Sequence, residues 1–360
     1  MTQKQLTIED VYGSDPIARL LFERMNIKPL VAALFFVLTG AVYAFILPSL
    51  WGYPPEIDGI NLILIVLVFP VAAYFYAYQP RSILRVYNSV NRFFREEDSD
   101  RNLPFERVIK WHARPVWWII GLCLGLIGAW FGAKYSADHF HEFWYSANWF
   151  EIIFVQSVRF LAFYAIGVAA TRHIATALAL NNLFERAQFP LTLDTDRLEI
   201  FSSVKKFALE FVGVAALVGL NLGLQPLLIV LPMPEFAVYV GLYFIVTPIC
   251  FFLPLWEAHR RMSAIKKKML DKLHSDFQEE SYNFYDSTAR DLRKDSSNRY
   301  LKKSQTLTSI KQAIELVNQA HDWPFEGATF YQLFITVLSP FILAILDGII
   351  NTVTSFFSIK

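Results

Sequence analysis

The sequence predicts an all-α fold: a polytopic helical membrane protein of six to seven transmembrane helices with a cytoplasmic helical hairpin region. Two observations carry that prediction. Apolar runs of about 20 residues, nearly free of charge, recur along the chain, and each can cover a ~30 Å hydrocarbon core at ~1.5 Å per residue. Between them lie segments dense in Arg, Lys, Asp and Glu. Composition agrees, with 54% hydrophobic and 18% charged residues and a mean hydropathy of +0.35. A soluble domain carries about 25% charged residues.

Residues 1–28 are polar and read as a cytoplasmic segment, so the apolar run after Lys28 is expected to act as an uncleaved anchor. The six spans are expected over 29–51, 60–78, 116–133, 149–170, 207–230 and 236–256. Residues 257–328 are expected to form a cytoplasmic helical region, and 329–360 to hold a seventh segment that crosses or lies re-entrant or interfacial. Asp347, Gly348 and Asn351 interrupt its far end. Trp51, Trp117, Trp118, Trp130, Trp144, Trp149 and Trp256 fall at or near span ends, where an amphipathic ring prefers the headgroup region.

Orientation follows from the Lys and Arg distribution. Summed over alternate connections, thirty lie on one side and one on the other. Without the long 257–329 segment the ratio is still 17 to 1. The N-terminus is therefore expected in the cytoplasm, with the chain in a cell membrane, plasma or inner. The net charge of +1 argues against a protein that coats nucleic acid.

The inner connections read as helices. Ile83, Val86, Val90 and Phe94 recur at helical spacing across 81–95, opposite Arg81, Arg85, Arg92 and Arg95. Met262, Ile265, Met269, Leu273 and Phe277 do the same after the sixth span. A further helix places Leu307, Ile310, Ile314 and Val317 in a heptad-like seam, expected to mediate assembly in an antiparallel hairpin or with a neighbouring subunit. The Lys266-Lys267-Lys268 cluster reads as a solvated, membrane-proximal face.

Chemistry is sparse. There is no P-loop, GxGxxG, HExxH, CxxC or GxSxG, so no enzyme, metal or cofactor is expected. Cys123 and Cys250 lie in apolar runs without metal or disulfide spacing. Asp138-His139-Phe140-His141-Glu142 reads as a wet loop, and Arg172-His173 as a positive inner flank. Polar residues inside spans are the stronger candidates, because a charge in hydrocarbon costs at least about 2.5–3.5 kcal/mol. They are Arg159, Gln156, Asn221, Glu210, Asp347 and Asn351, with Arg159 at the middle of the fourth span and Asp347 its expected partner. Pro70, Pro226, Pro248, Pro254 and Pro340 lie in or near spans, where each interior one frees a carbonyl and can kink its helix.

These residues suggest an oligomeric channel or pore whose C-terminal helix, rich in small and polar residues, lies near the conduction path while cytoplasmic helices hold copies together. The layout of seven spans, an inner N-terminus and cytoplasmic helices before the last span resembles the insect chemoreceptor channels. The resemblance is one of arrangement, without a shared motif, and implies a homo-oligomer with a pore-forming last span. A secondary transporter and a sensor or scaffold recruiting a cytoplasmic protein are the alternatives. The expected partners are the lipid bilayer, further copies of the chain and a cytoplasmic protein.

Overall fold

The computed structural model describes residues 7–50, 52, 64–95, 111–112, 114–141, 146, 148–186, 198–228, 233–291, 297–319, 330–339 and 341–342. Among these the chain is helical almost throughout and contains no strand. Two short helices open it, α1 (Ile8–Tyr12) and α2 (Pro16–Ala18), and α2 runs into a π-helical turn at Arg19–Arg24. Helix α3 (Pro29–Ala41) continues through a second π turn, Val42–Ile46, into α4 (Leu47–Leu50). The following helices are α5 (Phe69–Arg95), α6 (Val116–Asp138), α7 (Trp149–Arg186), α8 (Leu198–Leu228) and α9 (Met233–Phe252). A 3-10 turn at Leu253–Leu255 joins α9 to α10 (Trp256–Asp291), and α11 (Ser297–Gln319) and α12 (Phe330–Ser339) follow.

Three of these runs are long and apolar enough to cross a membrane: Val116–Asp138, Trp149–Glu185 and Val240–Asp286. Pro29–Ala41 and Phe330–Ser339 are apolar but shorter. Helix bounds outrun the expected spans. The apolar stretch at 149–170 belongs to a 38-residue helix, and the described part of the one at 60–78 passes from a π turn at Leu64–Val68 into a helix that runs on through Pro80 to Arg95. Residues 343–360, with Asp347 and Asn351, lie outside the described residues.

Helices α6 and α7 pack most intimately, and glycine is the reason. Gly121, Gly125, Gly128 and Gly132 recur every three or four residues on the buried face of α6. A Cβ at Gly125 would come within 2.9 Å of the Phe160 ring, and one at Gly128 within 2.9 Å of Phe163. At Gly167 an added Cβ would stand 3.0 Å from the Gly121 backbone, so the two helix backbones approach with no side chain between them.

The α9–α10 junction is built around a proline. Pro254 has no N–H, so the carbonyl of Cys250, four residues earlier, loses its helical donor. Nε2 of His173 on α7 takes that carbonyl at 2.7 Å. One turn further on, the Asn181 side chain splices the ladder. Its Nδ2 donates to the Leu253 carbonyl at 2.6 Å, and its Oδ1 accepts from the Glu257 N–H at 3.2 Å. The bend is therefore clamped from α7 through two side chains.

Beyond the junction α10 and α11 form an antiparallel hairpin. Lys266 Nζ near the start of α10 donates to the Asn318 carbonyl near the end of α11 (3.1 Å), and Lys303 Nζ donates to the Asn283 carbonyl (3.1 Å). Leu307, Ile310 and Ile314 are half-buried and Val317 is buried. Elsewhere whole helix faces expose large apolar side chains: Leu30, Leu34 and Leu38 on α3, Ile120, Leu124 and Ile127 on α6, Leu242, Ile245 and Ile249 on α9. Contiguous apolar surface of that extent is covered by lipid or by other protein.

Candidate functional site

The densest buried chemistry gathers where α5, α7 and the N-terminal segment meet. Thr7 caps α1 by accepting from the Asp10 N–H, while the Asp10 carboxylate accepts from the Thr7 N–H. Gly13 ends α1 at φ 57, a left-handed value that suits glycine, and turns the chain into the bundle. Asp15 then caps α2, Oδ1 accepting from the Ile17 and Ala18 N–H groups at 3.1 Å. Val11, Tyr12, Ala18 and Phe22 are buried, the last three against Tyr76, Ala77, Tyr164 and Val168.

That packing carries the Asp15 carboxylate into the interior, where it meets Arg172. Both are 3% exposed, and Arg172 Nη2 lies 2.5 Å from Asp15 Oδ2. Tyr76 Oη donates to the same oxygen at 2.7 Å, and Tyr164 Oη donates to Oδ1 at 2.7 Å. The guanidinium also donates from Nη1 to the Tyr76 carbonyl at 3.4 Å and lies 4.9 Å from the centre of the Tyr76 ring. Burial raises the Tyr12 phenol above its ordinary value, with the Arg172 charge opposing the shift. Nearby, His112 is buried at 4% exposure, with Nε2 3.3 Å from Tyr87 Oη and 3.4 Å from Thr176 Oγ1. Burial, and then the Arg172 charge, push its imidazole down to about 3, so it is neutral. His173 is also buried, stacked on Phe207 and Phe211 with ring centres 4.3 and 4.4 Å away.

Arg172 and His173, read as a positive inner flank, are thus both buried, at 3% and 0% exposure. Each faces a neighbouring element, Arg172 the N-terminal segment and His173 α9. The local signal lay in residues 7–24, where Val11, Tyr12, Ile17, Leu21 and Phe22 give an otherwise polar segment a face to bury. The partnership itself spans 157 positions and leaves no spacing to detect.

The candidates expected inside the spans are dispersed. Arg159 is half-buried at the α6–α7 seam, where a Cβ on Gly132 would overlap its Nη1 and Oε1 of Gln156. Gln156 is 7% exposed; its Nε2 stands 3.5 Å from Ser136 Oγ, and its Oε1 has no hydrogen-bond partner. Among the described residues no carboxylate pairs with Arg159, and Asp347, its expected partner, lies outside them together with Asn351. Glu210 on α8 accepts from Ser82 Oγ and, at 3.3 Å, from Arg85 Nη1, which ties α8 to α5. The helix containing Asn221 is described, but its side chain is not. Around His139 and His141, no group of three His, Cys, Asp or Glu gathers anywhere among the described residues.

The buried layer can hold a carboxylate by charge and by three side-chain donors at once. No family model, curated protein or solved structure matches this chain.

Proposed function

We propose that the chain is a subunit of an oligomeric membrane channel or pore, with the C-terminal helix near the conduction path. One observation carries this reading: α12 is packed on a single side. Leu333 and Val337 are buried, Tyr243 Oη donates to the Val337 carbonyl at 3.4 Å, and the Phe341 and Phe244 ring centres lie 4.7 Å apart. The opposite face exposes Tyr331, Phe334 and Ile335, and α9 itself exposes Leu242, Ile245 and Ile249. A helix attached this way, with apolar side chains uncovered, fits a position between subunits around an axis. The α10–α11 hairpin then supplies a second contact between copies through the exposed Leu301 and Leu316 and the half-buried Leu307, Ile310 and Ile314 of the seam, while Val317 is buried within the chain.

The test pairs mass with conductance. Purified protein in lipid nanodiscs is expected to run at a multiple of 41.5 kDa, and reconstitution in planar bilayers is expected to give unitary currents. A monomer that conducts nothing defeats the reading. The exposed Tyr282 and Tyr285 on α10 favour, as a second reading, a membrane sensor or scaffold whose hairpin recruits a cytoplasmic protein. That version predicts silent bilayers.

A further inference from the structure

The Asp15 carboxylate receives five hydrogen bonds, and their origins divide in two. The Ile17 and Ala18 N–H groups belong to its own turn. The other three donors, Tyr76, Tyr164 and Arg172, stand on α5 and α7 and would remain there if the N-terminal segment moved away. With the segment docked but its carboxylate removed, Arg172 would be a buried cation facing a carbonyl and aromatic rings, Tyr12 of the segment among them, a condition that costs several kcal/mol. The docked fold therefore requires an anion at this point. The two oxygens are served separately, one by Tyr164 and the other by Tyr76 and Arg172, which suits the flat two-oxygen edge of a carboxylate. A phosphate would bring a second charge to a single cation, and a halide could not divide itself between the tyrosines.

The segment that delivers Asp15 has little structure of its own. Its helices are five, three and six residues long, far below the ~12–15 that an isolated helix needs in water. Left-handed residues bracket α2 and the π turn after it, Gly13 at φ 57 and Asn26 at φ 50. Its order comes from docking, through Val11, Tyr12, Ala18 and Phe22 and through the charge they carry inward.

We propose that Arg172, Tyr76 and Tyr164 form a carboxylate receptor on the helical bundle, occupied in cis by Asp15, so that the N-terminal segment is a tethered ligand of its own protein. A free carboxylate fills the same cradle when Asp15 is absent. The proposal does not depend on the pore reading, because its readouts are stability and proteolysis.

The experiment uses the full chain in detergent, with sodium acetate and sodium formate as probes and sodium chloride at equal ionic strength as the control. Asp15→Ala is expected to melt at least 5 °C below the wild type. Acetate or formate in the tens of millimolar should restore a large part of that loss saturably, and chloride should not. The added change Arg172→Gln should abolish the restoration. Equal responses to acetate and chloride, no response to either, or rescue that survives the loss of Arg172 would each overturn the proposal. If Asp15→Ala does not yield folded protein, Asp15→Asn decides the matter, since it keeps the Oδ1 acceptor for the α2 turn and puts a neutral NH2 in place of the oxygen that meets Tyr76 and Arg172. Trypsin cleavage after Arg19, read by mass, should then run at least tenfold faster than in the wild type, and an unchanged rate overturns the proposal.

Discussion

Two arginines on one helix show how differently a bundle can treat the same charge. Arg159 and Arg172 lie 13 positions apart on α7, roughly 20 Å along its axis. Arg172 is closed in on every side, with an acid, a carbonyl and aromatic faces. Arg159 lies half-exposed across a glycine, beside a glutamine whose oxygen has no partner. Hydropathy singles out Arg159, because it interrupts an apolar run, and passes over Arg172, because it stands where positive flanks are common. Enclosure follows the reverse order. A charge conspicuous in sequence stays half-exposed, whereas a charge that looks ordinary is locked in by a segment from the far end of the chain.

The largest expected effect tests that contrast directly. Arg172→Gln strands the Asp15 carboxylate and should cost about 3–5 kcal/mol of stability, while Arg159→Gln should cost under about 1 kcal/mol. Denaturant or thermal unfolding of the two variants in the same detergent measures the difference, and equal losses would erase the distinction. The α6 glycines sharpen it. A Cβ at Gly121 meets a Val168 methyl and the Val168 backbone, neither of which can retreat, so Gly121→Ala should cost about 1–3 kcal/mol. At Gly132 the same Cβ meets the ends of two flexible side chains, so Gly132→Ala should cost distinctly less. A larger loss at Gly132, measured the same way, would show that Arg159 and Gln156 are held as rigidly as the Arg172 layer.

A pH titration probes the enclosed layer alone. The folded His112 imidazole is depressed to about 3 from an unfolded value near 6.5. Its contribution is therefore complete above pH 6.5 and declines as pH falls toward 3, by at most about 1.4 kcal/mol per pH unit. Melting temperature should fall between pH 7 and pH 5, and His112→Gln should flatten that part of the curve. A slope unaffected by the substitution would assign the acid sensitivity elsewhere. The smallest effect is expected at Ile314, half-buried in the α11 seam. Ile314→Val should cost about 0.5–1.5 kcal/mol or less, and a greater loss in thermal unfolding would mean that the seam is more completely covered than in a single chain.

Sequence reasoning was strongest where structure repeats locally. The spacing of Ile83, Val86 and Val90 predicts a helix through 81–95, and α5 runs to Arg95 with those three side chains buried. The apolar spacing from Met262 to Phe277 predicts a helix leaving the sixth segment, and α10 follows α9 there through one 3-10 turn. Pro254 marks a break by its chemistry alone. What repaired the break was not legible, because His173 and Asn181 are 81 and 73 positions upstream of the proline and resemble many other polar residues on long helices. Asp15 was hidden for the same reason. A capping residue in a short polar segment reveals the turn it caps, not the cation that its second oxygen meets.

The clamp at Pro254 has a mechanical consequence. Helix α10 extends 36 residues beyond it, about 54 Å as a straight rod, so a tilt of only about 5° at the junction sweeps the far end through about 5 Å. The pivot is held by one imidazole and one amide, both on α7, the helix that also carries Arg159 and Arg172. Leverage therefore runs from the tip of the hairpin toward the bundle. A force at Tyr282 or Tyr285 acts on His173 and Asn181 with most of that arm behind it, and a small rearrangement around His173 would return as a wide stroke at the tip.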